Sequence, residues 1–161
     1  MARLLIVYHT RTNGTRQMAE AAFDAARAET DVEIRRAEDT HPDDMLAADG
    51  YIFAAPENLA ALSGEMKAFF DRAYYPLLGK IEGRPYAQMI CAGSDGNNAA
   101  RQTARIATGW RLKQVQDPLI ICTHAQTEIE ILAEKTIPNA DLERCCDLGR
   151  ALGAGLALGV F

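Results

Sequence analysis

No apolar run in this chain is long enough to cross a bilayer. The first, Leu4–Tyr8, is far too short for a secretory leader, and the C-terminal Leu148–Phe161 falls short of a span. Positive charge is also scarce. Seventeen Lys and Arg stand against 22 Asp and Glu, for a net charge of −5, which argues against nucleic acid or an anionic membrane as partner. The four cysteines, Cys91, Cys122, Cys145 and Cys146, form no C-x-x-C, and no His/Cys spacing suggests zinc, so no metal site is expected. Cys91 and Cys122 lie in apolar runs and read as buried thiols. The three histidines, His9, His41 and His124, complete no Ser/His/Asp or Cys/His set, so no catalytic residue is assigned. Repeats, linkers and low-complexity tracts are missing. What remains is the composition of one globular domain over residues 1–161, 48% hydrophobic and 24% charged, with a cytoplasmic location as the expectation.

Four short apolar runs recur: Leu4–Tyr8, Tyr51–Ala55, Tyr86–Ala92 and Leu119–Cys122. They are nearly continuous, as in strands buried on both faces. Val32–Arg35 alternates and reads as a half-exposed edge. Helical patterns fall between them at Gly14–Ala28, Ser63–Leu78, Asn97–Thr108 and Asp141–Leu158, with Ser63 as a cap and a turn of helix near Pro42–Ala48. This βα alternation predicts a parallel sheet covered by helices on both sides, five strands in the order 2-1-3-4-5. Asp117-Pro118 interrupts the last strand, as an edge tolerates. Thr123–Pro138 is an extra segment before the last helix.

The chemistry concentrates after the first strand, in His9-Thr10-Arg11-Thr12-Asn13-Gly14-Thr15-Arg16. The first N–H groups of a helix lack internal partners and carry the positive end of its dipole, so a phosphate suits that position. Thr10, Thr12 and Thr15 add hydroxyls, Asn13 an amide, and Gly14 a tight turn. There is no G-x-x-x-x-G-K-[ST], no lysine in the turn, and no G-x-G-x-x-G, so neither a nucleoside-triphosphate loop nor the usual dinucleotide loop is signalled. An ordinary threonine-capped turn accounts for the same residues. In the predicted order, the sheet reverses between strands 1 and 3, where ligands sit beyond the carboxyl ends. Three loops then meet: His9–Thr15, Pro56–Gly64 and Ala92–Asn98.

With these stretches, and with Ala48-Asp49-Gly50 leading to Lys67-Ala68-Phe69-Phe70-Asp71-Arg72, the chain resembles the flavodoxin-like superfamily, specifically its NAD(P)H-dependent FMN reductase and quinone reductase branch. The resemblance implies an α/β three-layer sandwich and bound FMN. Thr10, Arg11, Thr12, Asn13, Gly14 and Thr15 would contact its phosphate. Pro56, Glu57, Asn58 and Leu59 would line the ring, and Gly93, Ser94, Asp95 and Gly96 would close the other edge. Met66, Phe69, Phe70 and Asp71 read as helix packing and helix-end polar contacts. Glu57 stands where neutral residues are more usual, and His9 replaces a small hydroxyl residue. Electron carriers of the superfamily flank the ring with aromatics, and these loops contain none. The implied activity is an oxidoreductase passing reducing equivalents from NAD(P)H through FMN to a quinone or similar small acceptor. The alternatives are an electron carrier, or an FMN-free interaction protein. The ring loops of this class often lie at subunit interfaces, so a homodimer is expected.

Overall fold

Strand β1 (Arg3–Tyr8) places Leu4, Leu5, Ile6 and Val7 wholly out of solvent, as its unbroken apolar run requires. The structure, a computed structural model, describes residues 1–161. β1 pairs in parallel with β2 (Asp31–Arg36) on one side and β3 (Gly50–Asn58) on the other, and β3 pairs in parallel with β5 (Pro85–Ala92). The far edge is split, as the Asp117-Pro118 interruption predicts. β6 (Lys113–Gln114) pairs with the start of β5 and β7 (Leu119–Cys122) with its end. The parallel strands therefore follow the predicted order, with β6 and β7 sharing the fifth place.

The two-residue period of a strand sorts the core into two layers. Leu5, Val7, Tyr51 and Phe53 face α3 (Gly64–Leu77) and α4 (Asn97–Gly109), where Met66, Phe69 and Phe70 are buried as expected. Leu4, Ile6, Ile52 and Ala54 face α1 (Gly14–Ala26) and α6 (Asn139–Leu158). α1 and α6 approach closely because small residues meet there. A Cβ on Gly149 would lie 2.2 Å from the Ala22 carbonyl oxygen, so only glycine fits.

Two local readings are corrected and a third gains detail. Pro56–Gly64 is not a plain loop. β3 runs on to Asn58, turns at Leu59-Ala60 with φ of 51° and 61°, and returns as β4 (Ala61–Leu62), antiparallel to β3. Thr123–Pro138 contains α5 (Glu128–Leu132), opened by a reciprocal Thr127/Glu130 capping box. Ser63 precedes α3 but does not cap it; its hydroxyl is drawn instead to His9. The short α2 (Pro42–Leu46) is the predicted turn of helix. No helix is long and apolar enough to cross a membrane.

Candidate functional site

Four connections, rather than three, meet beyond the carboxyl ends of β1, β3, β5 and β7. The first runs from Tyr8 into α1. Its sharp turn is made by Asn13, at φ 65°, and not by Gly14. Gly14 serves a different need, since a Cβ there would meet the Cys91 sulfur at 2.8 Å. No side chain caps α1 and no acidic residue lies in its first turn, so the protein supplies no anion of its own there. Thr15 is 1% exposed and its Oγ1 has no hydrogen-bond partner; Thr10 Oγ1 is likewise buried and unpartnered. A buried hydroxyl left without a partner costs free energy, which an incoming hydrogen-bonding ligand removes.

The segment between β7 and α6 folds back over this turn. The Lys135 backbone N–H donates to the Thr12 carbonyl at 2.8 Å, and Asn13 Nδ2 donates to Glu134 Oε1 at 2.7 Å. Gln17 completes the clasp. Its Nε2 donates to the carbonyls of Asn13 and Lys135 at 2.9 and 2.7 Å, and its Oε1 accepts from the Ile137 N–H. These bonds hold the Lys135 ammonium 3.4 Å from Thr12 Oγ1. A lysine missing from the turn itself is thus delivered from more than 120 positions away.

The second and third connections are tied by Glu57. Its Oε2 accepts from the Gly96 N–H at 2.6 Å, at the left-handed turn (φ 85°) that opens α4. The carboxylate therefore caps the positive end of a helix, which compensates its position beside the site. The hairpin is steadied from α4, where Asn98 Nδ2 donates to the Ala60 carbonyl and Gln102 Oε1 accepts from the Leu62 N–H, each at 2.8 Å. The third connection is bonded to the fourth through Thr123 and His124, whose N–H groups donate to the carbonyls of Ala92 and Gly93.

Together these segments line an open cleft that holds about 480 Å³ of space, part of it open to solvent. Of the residues singled out in the sequence, Thr10, Arg11, Thr12, Gly14, Thr15, Pro56, Glu57, Asn58 and Gly93 line it. Asn13 does not line the cavity and shapes the turn beneath it. Leu59 stands fully exposed at the hairpin tip, Ser94 and Asp95 face solvent, and Gly96 holds Glu57. Sequence reasoning missed Thr123, Ala125, Ile131 and Lys135, which also line it. The one available signal was the Thr-x-x-Glu capping box of α5. Cys91 sits in the floor as a buried thiol, as predicted, and burial pushes its pKa up to about 11, so it stays protonated. Cys122 is only half-buried. His124 is exposed, at φ 62°, and is not part of the wall.

His9 lies outside the cavity. It is 5% exposed, with Nδ1 2.9 Å from Ser63 Oγ and Nε2 facing Glu65 and Glu38 at 3.5 and 3.6 Å. It ties the first connection to the start of α3. Burial lowers its pKa below 6.5 and outweighs the opposing pull of Glu65 and Glu38, while Arg36 lowers it further. The unfolded chain then binds the proton more readily than the folded one. The His9 contribution to stability is complete above pH 6.5 and is lost as pH falls through the lower, folded value. Melting curves between about pH 7 and about pH 5 are expected to fall more steeply for the wild type than for His9→Gln; parallel curves would refute this assignment.

A family model described as NADPH-dependent FMN reductase matches residues 40–127, more than half of the chain. A flavodoxin of Aquifex aeolicus is 36% identical over 98 residues, covering 60% of this chain and 53% of that protein. An NAD(P)H dehydrogenase (quinone) of Acidithiobacillus ferrooxidans is 32% identical, covering 45% of this chain and 47% of that protein. The chain thus spans about half the length of the curated relatives it matches. Among solved structures, an archaeal flavodoxin superposes with a TM-score of 0.77 at 16% identity, over 96% of this chain and 98% of that one. A WrbA-like flavodoxin of Agrobacterium tumefaciens gives 0.73 at 19% identity, over 99% of each. At such identities the likeness shows the flavodoxin-like fold, which agrees with the three layers and the strand order.

Proposed function

We propose that this chain, which belongs to the NADPH-dependent FMN reductase family, binds FMN in the cavity at the carboxyl edge of its sheet and passes reducing equivalents from NAD(P)H to a quinone or similar small acceptor. One observation carries the binding half of this reading. Thr10 and Thr15 each keep a buried hydroxyl without a partner, beside the uncapped N-terminus of α1. The residues fit a phosphate monoester: it would accept from those hydroxyls and from the first N–H groups of the helix.

Bound FMN supplies the hydride and electron chemistry itself. The chain's own residues hold and orient it. Thr10, Thr12 and Thr15 offer donors to the phosphate. Pro56 and Asn58 from the hairpin, with Ala92 and Gly93 from the third connection, line the part of the cavity left for the ring. Glu57 bonds Gly96 and so ties the hairpin to the third connection. No aromatic side chain lines the cavity, so the ring face stays open to a small acceptor. That opening supports an enzyme over a carrier.

The test is a titration of the purified protein with FMN, followed by addition of NAD(P)H and a quinone. Saturable binding and quinone-dependent NAD(P)H oxidation are the expected results. Binding without NAD(P)H oxidation would select the electron-carrier alternative, and no binding would remove FMN from the reading altogether. Gel filtration with light scattering tests the proposed homodimer.

A further inference from the structure

Two cationic side chains line the cavity, Arg11 and Lys135, and their settings differ. Arg11 is exposed and forms no hydrogen bond or ion pair. Lys135 is half-buried and held from several directions. Its N–H bonds to Thr12, its carbonyl to Gln17, and its ammonium donates to the Ile131 carbonyl at 2.9 Å near the end of α5. Meanwhile α5 buries none of its own residues, so nothing in its packing calls for this anchoring. Besides bracing the Asn13 turn, the clasp fixes a positive charge 3.4 Å from Thr12 Oγ1, on a cavity that Thr10 and Thr15 also line.

We infer that Lys135 is a specificity-determining residue that selects a flavin bearing a terminal phosphate over one without it. The inference rests on the FMN reading above and adds a residue to it. Hydroxyls and helix N–H groups bind an oxyanion or a neutral oxygen with modest discrimination. A fixed ammonium adds a charge-assisted bond that only the phosphorylated ligand can accept. The ammonium already sits among carbonyl oxygens, so it need only turn toward the phosphate to exchange one acceptor for a stronger one.

The experiment measures dissociation constants of FMN and riboflavin for apoprotein by flavin fluorescence quenching. It compares wild type, Lys135→Gln, Lys135→Arg and Arg11→Gln, with the ³¹P resonance of bound FMN as a second readout. Lys135→Gln is expected to weaken FMN roughly 10–100-fold. Riboflavin is expected to change less than about twofold, and the ³¹P resonance to shift. Lys135→Arg keeps the charge and most of the preference. Arg11→Gln has the smaller effect, because its guanidinium is solvated. An equal loss for both flavins in Lys135→Gln would show that the residue only braces the clasp, and an unchanged FMN affinity would also overturn the inference. If wild type binds neither flavin, the FMN reading itself falls, and this one with it.

Discussion

Thr12→Asp is expected to weaken FMN binding by roughly 100-fold or more while leaving the protein folded. Thr12 is half-exposed on the cavity wall, so a carboxylate there is not forced into the core. Its hydroxyl lies 3.4 Å from the Lys135 ammonium, and an aspartate at this position would pair with that ammonium. The substitution therefore installs an internal anion at the proposed phosphate position. Two losses add: the cation is engaged, and the ligand's phosphate meets a like charge. A charge-assisted hydrogen bond contributes about 1.5–3 kcal/mol, and each 1.4 kcal/mol is about tenfold in affinity. Like-charge juxtaposition in a binding site adds further cost. Fluorescence titration measures the affinity and circular dichroism the fold. Undiminished FMN affinity in a folded Thr12→Asp would place the phosphate elsewhere.

The largest effect on stability is expected at Trp110, which has no accessible surface. The residue stacks on Tyr74 at a ring separation of 5.6 Å and packs obliquely against Phe70 at 5.8 Å. Its Nε1 donates to the Tyr74 carbonyl at 2.9 Å. Trp110→Ala removes the largest side chain of the α3/α4 layer and strands that carbonyl. The cost is about 3–5 kcal/mol for such a truncation. At about 2–4 °C per kcal/mol for a chain of this length, Tm falls on the order of 10 °C. Trp110→Phe keeps most of the volume and loses chiefly the hydrogen bond, so it should fall well short of that. Calorimetry of both variants decides. Equal losses would assign the effect to the hydrogen bond rather than to packing, contrary to this account.

Much of the architecture was legible in the chain. Continuous apolar runs announced strands covered on both faces, and the alternation at Val32–Arg35 announced the exposed edge. The interruption at Asp117-Pro118 appears as the gap between β6 and β7. The hairpin at Leu59-Ala60 escaped notice because neither residue is one that a left-handed turn favours. Trp110 carried no periodic signal, falling just past the helix that ends at Gly109. Ser63 had the sequence position of a cap, and only the arrival of His9, 54 positions earlier in the connection after β1, redirected its hydroxyl.

The first loop shows the division most clearly. By itself, the sequence determined that a strand would break into hydroxyl and amide residues and then into a helix. It thereby determined that unsatisfied N–H groups and threonines would stand together at a sheet edge, because these are relations between neighbours and obey local geometry. It also excluded a lysine from that turn. Only the tertiary structure decided that a lysine would be present after all, and that Glu57 would bond the turn that opens α4. Those contacts join residues 123 and 39 positions apart. They depend on where a strand's register and a short helix's docking bring two chain segments, and no local periodicity encodes that distance.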